Sequence, residues 1–169
     1  PMGACIISDR IFSQISGDRS QDATFSNGYT YSGHPVSSAA ALKNIEIIEN
    51  ENLLEHVREI SPYFQQRLRE LRKLPLVGDT RGVGLVGCVE GRIVEPENPD
   101  ALEMDIAMGS RIDKHCQELG LIVRPLWNMC VFSPPLIITP KQIDEMFNIL
   151  EQGILLATEE LRQEGLWKG

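Results

Sequence analysis

Positive charge is in short supply in this sequence. Against 24 Asp and Glu stand only 16 Lys and Arg, a formal net charge of -8. A chain this acidic lacks the basic face that electrostatic binding to nucleic acid requires. Long apolar runs are missing too: none approaches the roughly 20 residues that a helix needs to cross a bilayer, so no membrane span is expected. The opening stretch PMGACIISDR has no basic n-region and only a short apolar segment, unlike a secretory leader, and the expected compartment is the cytoplasm. Cysteine is sparse. Cys5, Cys88, Cys116 and Cys130 are far apart and set among apolar neighbours, which argues against a disulfide frame and predicts reduced, mostly buried thiols. The cysteines and the three histidines show no zinc-type ligand spacing, and no metal is expected.

What is present is an ordinary globular balance of 169 residues, 42% hydrophobic and 24% charged, long enough for one domain with a buried core. Residues 3–7 form an apolar run expected as a short buried strand of the parallel-sheet kind. Asp9 to Ile15 can make a helical turn, and Ser16 to Asn27 is polar and turn-rich, as a surface or interface loop is. Helices are expected from Pro35 to about Asn50 and again from Leu53 through Leu71, with Ser61-Pro62 bending or restarting the second. Arg67, Arg69, Glu70, Arg72 and Lys73 suit a mostly solvated face. Four glycines alternate with valine and leucine in LVGDTRGVGLVGCVE, residues 76–90, the pattern of a strand with close backbone packing or bulges. Residues 95–100 read as a loop. A helix from Ala101 buries Met104, Met108, Ile112, Cys116 and Leu119 and closes at Gly120. Residues 121–124 begin a strand, Pro125 to Asn128 turn, and Met129 to Ser133 form its partner. Thr139 and Pro140 supply the N-cap and first position of a last helix. That helix buries Ile143, Met146, Phe147, Leu150, Ile154, Leu155 and Leu161 and closes at Gly165. The order gives an α+β layer, with helices on one face of a small, mostly antiparallel sheet.

Two places carry candidate chemistry. Gly28-Tyr29-Thr30-Tyr31-Ser32-Gly33-His34-Pro35 is a polar loop bracketed by glycines and running straight into a helix. Its exposed N–H groups and the Thr30 hydroxyl can hold a phosphate; equally, it can be an ordinary loop in front of a capped helix. Arg124 follows three apolar residues and precedes a proline, so it leaves the sheet at a fixed place. There its guanidinium can grip a carboxylate by two parallel hydrogen bonds, or make an internal salt bridge. His34 has no nucleophile or metal partner nearby in sequence and reads as a loop-packing residue; His56 and His115 read as surface side chains. Gly82-Val83-Gly84 lacks the rest of a nucleotide loop.

Four runs, in order, carry a resemblance: PMGACIIS, then TYSGHP followed by VSSAAALKNIEIIE, then LVGDTRGVGLVGCVE, and finally GLIVRPLWNMCVFSPPLIIT. Together they resemble the class III pyridoxal-phosphate aminotransferases, in particular the branch acting on ω-amino acids or amines with pyruvate, and the similarity covers nearly the whole chain. The resemblance implies the small C-terminal domain of a fold-type I transferase over residues 35–169. Residues 1–34 would be the tail of the large cofactor domain and an interface loop. It implies pyridoxal 5'-phosphate as cofactor, with the Thr30 hydroxyl and the N–H of Thr30 or Tyr29 reaching the cofactor phosphate of a neighbouring subunit. It implies Arg124 as the substrate-carboxylate ligand, able to swing aside for an amine donor, and a homodimer or dimer of dimers as the assembly. In that family the cofactor-bearing lysine lies shortly before a PMGA-like run. None of Lys43, Lys73, Lys114, Lys141 or Lys168 matches it, so the catalytic lysine is expected outside this chain. The chain is then expected to be the C-terminal portion of a longer polypeptide, inactive alone. One departure bears on the arginine's pose: PLWNM follows Arg124 where the family more usually has a turn with glycine and aspartate. The alternative from the residues alone is an autonomous α+β binding or assembly module without chemistry of its own.

Overall fold

The computed structural model describes residues 2–17, 27–94 and 97–167, and the chain divides into two compact units, Pro1–Glu51 and Asn52–Gly169. The helix after Pro35, assigned from sequence to the second domain, groups with the first unit.

In the first unit, helix α1 spans Asp9–Ile15, with Ser8 at its N-cap accepting from the Ile11 N–H at 3.4 Å. Helix α2 spans Pro35–Asn50 and starts with proline at its first position. Neither helix has a buried residue. The strand expected over residues 3–7 does not form, and Ile6 is 96% exposed. A strand needs a neighbour for its N–H and C=O groups, and the described residues of this unit offer none. Most of the turn-rich segment after Ser16, residues 18–26, lies outside the described residues.

The second unit is built on one antiparallel sheet. Helix α3, Leu53–Glu70, runs on through Pro62, so the helix does not restart there. Burial of Ile60, Phe64 and Leu68 on either side of the proline outweighs one missing ladder bond. A 3-10 turn, Leu71–Lys73, leads to β1, Val77–Val83, and β2, Val86–Gly91. The glycine-rich run is therefore a hairpin, not a single strand. It reverses at Gly84, whose φ of +58° is open to glycine without strain, and Gln65 of α3 donates to the Gly84 carbonyl at 2.9 Å. A Cβ at Gly87 would lie 3.1 Å from both Leu68 and Phe64, so that glycine lets α3 seat on the sheet.

Helix α4 is Ala101–Glu118. Gly120 at φ +95° closes it, with its own N–H on the Gln117 carbonyl and the Leu121 N–H on that of Cys116, as a Schellman ending requires. Strands β3, Arg124–Leu126, and β4, Met129–Phe132, complete a sheet of order β1-β2-β4-β3. The pairing differs from expectation: Pro125 lies within the ladder opposite Cys130, and only Trp127 and Asn128 turn. An edge strand tolerates the proline because one side of its backbone pairs with nothing. Helix α5, Pro140–Gln163, opens on a full capping box between Thr139 and Gln142 and ends at Gly165, φ +73°.

Gly87, Val89, Cys130 and Phe132 turn one sheet face to the core, where α3, α4 and α5 close over it. Phe147 is the centre, edge-on to Phe64 at 5.2 Å and to Phe132 at 6.3 Å. The stripe Met108, Ile112, Cys116 is buried as expected, whereas Leu119 and Leu155 are exposed because they fall at the rim of their helices' apolar faces. Arg67 departs furthest from a solvated role. Its guanidinium lies over the Phe147 ring at 5.9 Å and bonds Glu70 and Asn148, tying α3 to α5. His115 is buried, with Glu160 3.0 Å from Nε2 and Glu118 3.6 Å from Nδ1. His56 is half-buried against the Ile138 carbonyl at 3.0 Å. Both were expected at the surface; helical periodicity locates a face but not the neighbour that covers it.

Candidate functional site

The outer face of the sheet carries the candidate arginine. One rung runs Arg81, Cys88, Val131, Arg124 across the four strands, and residues opposite one another in a ladder share a face. The two arginines of this rung differ. Arg81 pairs with Glu90, lies 3.4 Å from Asp79 and reaches the Met129 sulfur at 3.2 Å. The guanidinium of Arg124, exposed at the start of the edge strand, makes no hydrogen bond or ion pair among the described residues. The internal salt bridge that composition allowed is not made, and the guanidinium is free for a ligand.

The backbone beneath Arg124 is fixed at the far end of its hairpin. Asn128 donates from Nδ2 to the Gly91 carbonyl at 3.0 Å, and the Gly91 N–H returns to the Asn128 carbonyl at 2.8 Å. Helix α4 closes on the same turn so tightly that a Cβ at Gly109 would sit 1.8 Å from the Trp127 carbonyl oxygen. Trp127 itself has φ 56° and is 58% exposed. This explains the departure noted at PLWNM. The first turn position takes positive φ, which glycine adopts freely and a bulky residue only at a cost; here tryptophan bears it, held by the contacts on either side. Beside Arg124, at the open end of the hairpin, lies a groove of about 460 Å³.

The second candidate belongs to the first unit. Ser32 shapes its loop: its Oγ accepts from the Tyr29 N–H at 3.0 Å, and its own N–H donates to the Tyr29 carbonyl at 2.9 Å. Gly33 follows at φ +70° and the His34 N–H bonds Tyr31. The His34 ring packs on Tyr31 with centroids 5.7 Å apart, the loop-packing role expected of it. Tyr29 has spent its N–H on Ser32. Thr30 has not: its hydroxyl and N–H meet no partner among the described residues, and the residue is exposed. Two free donors ahead of a helix start fit a phosphate. Sequence inspection missed Ser32 and Gly109; serine in the loop was a visible signal, and the docking of a distant turn on a helical glycine was not.

The buried thiols of Cys116 and Cys130 are not part of either place. Burial pushes both up to about 12, so they are inert; Cys5, by contrast, is exposed, and all four cysteines are free. Among the described residues no group of His, Cys, Asp and Glu could hold a metal ion, and no helix is long and apolar enough to cross a membrane.

Among the described residues, the chain thus combines an antiparallel sheet whose inner face lies under three helices, an arginine with no side-chain partner on the outer face and, in a separate unit, a loop with two free donors at Thr30. The family model described as "Aminotransferase class-III" matches residues 1–154, and the chain belongs to that family. It is 40% identical over 150 residues to a putrescine–pyruvate aminotransferase of Pseudomonas aeruginosa, covering 88% of this chain and 32% of that protein. A transaminase solved with L-ala superimposes with a TM-score of 0.80 at 38% identity, over 92% of this chain and 36% of that one. A PLP-bound aminotransferase mutant from Vibrio fluvialis gives a TM-score of 0.72 at 36% identity, over 83% and 31%. The chain thus spans about a third of the length of the curated relatives it matches, 36% and 32% for two of them.

Proposed function

We propose that this chain is the C-terminal part of an enzyme that moves an amino group from an ω-amino acid or amine to pyruvate or a related keto acid. The observation that carries this reading is Arg124, an exposed guanidinium without a partner among the described residues, on a fixed strand. Pyridoxal 5'-phosphate is the cofactor the family implies; when bound, it would supply an aldehyde carbon that takes up the amino group and a ring that accepts electrons. Thr30, with a free hydroxyl and a free N–H, would hold its phosphate. Arg124 would bind and orient the carboxylate of the acid substrate through its planar fork, and leave the site to the amine when no carboxylate is present. The lysine that moves protons is supplied from outside residues 1–169. The enzyme is a homodimer or dimer of dimers in which Thr30 serves the neighbouring subunit's cofactor, and its free thiols suit a reducing cytoplasm.

Kinetics of the complete enzyme test this. Arg124→Ala should weaken pyruvate far more than a carboxylate-free amine donor. Loss of a charge-assisted bidentate contact should cost about 2–4 kcal/mol for the acid, and Arg124→Lys should restore only part of it. Equal losses for acid and amine would refute the role. Thr30→Ala should instead raise the apparent Kd for the cofactor and leave the preference between substrates unchanged.

A further inference from the structure

Where α4 begins and α5 ends, the second unit leaves a groove of about 260 Å³. Ile93, Met104, Ala107, Leu161 and Leu166 make its apolar lining, and Asp100 and Glu103 are the only charged residues on it. The volume exceeds the roughly 150 Å³ in which an engineered apolar cavity holds benzene. Leu161 is fully buried and Leu166 is 40% exposed, so the lining runs from the core to the rim. It shares no residue with the groove at Arg124.

Both carboxylates are unspent. Asp100 stands at the N-cap of α4 without accepting a capping bond on its side chain. Neither it nor Glu103 has a side-chain hydrogen bond or ion pair among the described residues. Arg162, the basic residue in the last turn of α5, lies over the Trp167 ring at 4.7 Å and does not line the groove. The helix ends leave the sign of the site unchanged: the half positive charge at the start of α4 and the half negative charge at the end of α5 oppose one another. Two full negative charges therefore stand beside an apolar trough.

We propose that this groove binds a protonated primary monoamine with a linear hydrocarbon chain. The ammonium meets Asp100 and Glu103, and the chain lies along Met104, Ala107 and Leu161, removing apolar surface of both partners from water. Charge complementarity sets the class. A carboxylic acid would bring a third negative charge to the two already there. A diamine would set its second ammonium against apolar side chains without an acceptor, at a desolvation cost.

NMR titration of the 169-residue chain with methylamine, butylamine, hexylamine, 1,6-diaminohexane and hexanoate tests this, read at the methyl groups of Met104 and Ala107 with those of Val131 as the control. Each methylene should tighten binding about twofold, since the groove is open and burial is partial, so hexylamine should bind roughly 30-fold tighter than methylamine on the same scale. The diamine and hexanoate should bind far more weakly than hexylamine. Asp100→Asn combined with Glu103→Gln, both at exposed positions, should weaken hexylamine about three- to tenfold, the modest loss expected of exposed charge contacts, while the spectrum of the core stays unchanged. If methylamine and hexylamine bind equally, the groove takes no chain and the proposal is wrong. If hexanoate binds as tightly as hexylamine, or the double variant keeps full affinity, the ammonium assignment is wrong; a diamine that binds as well as hexylamine overturns the monoamine class. If no amine moves the Met104 and Ala107 signals, the site does not exist. Each of these failures leaves the roles of Arg124 and Thr30 untouched.

Discussion

Replacing Gly109 by alanine isolates the contact that fixes the arginine-bearing hairpin. In a solvent-facing helix interior this change is favourable, because alanine is about 1 kcal/mol better than glycine there. At Gly109 the new Cβ would lie 1.8 Å from the Trp127 carbonyl oxygen, where real Cβ contacts do not fall below 3.0 Å. Helix and turn must separate by more than 1 Å, yet both are backbone and neither has a flexible end to give. Overpacking of this kind costs about 1–3 kcal/mol and occasionally more, and with two backbones involved the upper part of that range applies. After subtracting the helix-propensity gain, the variant should lose about 2 kcal/mol, which for a unit of this size lowers Tm by roughly 6–10 °C. Urea and thermal unfolding followed by circular dichroism measure it. Ser110→Ala, on the exposed side of the same helix, serves as the control and should gain a few tenths of a kcal/mol. A Gly109→Ala protein as stable as the parent, or more so, would refute the claim that the turn docks on this glycine.

Three other outcomes follow from burial. Amide hydrogen exchange should be fast over residues 4–7, which form no strand among the described residues, and slowest in α5 around Phe147 and Leu150, both fully buried; comparable protection in the two places would show that the opening segment does find a sheet partner. Native alkylation should modify Cys5 quickly, Cys88 slowly, and Cys116 and Cys130 only after unfolding. The buried pair also sets a pH dependence. Their folded values lie above the unfolded one, so their contribution to stability is complete below pH 9.0 and is lost as the pH rises toward about 12. Urea midpoints that stay flat across that interval would contradict it.

Much of the second unit was legible in the sequence because local signals and burial agree there. Gly120 and Gly165 end helices as their positions suggested, and Thr139 with Pro140 opens α5 as a capping pair should. The misplaced features share a cause: they depend on partners distant in the chain. The hairpin inside residues 76–90 turns at Gly84, where Gln65, on another element, donates to its carbonyl. Pro125 stays in a strand because that strand is an edge. Arg67 leaves solvent for the Phe147 ring on α5, a residue 80 positions away. Arg124 and Thr30 were visible as residue types in suitable settings. That the Arg124 guanidinium is unpaired among the described residues while Arg81 bonds Glu90 was not visible, since carboxylates abound in a sequence with 24 of them.

The β3–β4 turn has a consequence for how such a chain can vary. Its two residues are gripped on both sides, by Gly91 through Asn128 and by Gly109 through the Trp127 carbonyl. An inserted residue has nowhere to bulge without lifting the hairpin from α4. Length is therefore frozen at this point, while side-chain identity is not: the indole of Trp127 projects outward from the locked backbone. A turn of this kind can exchange glycine for a large aromatic ring and keep the strand that carries the arginine in register. Variation in size at position 127 is available without any change in the frame around it.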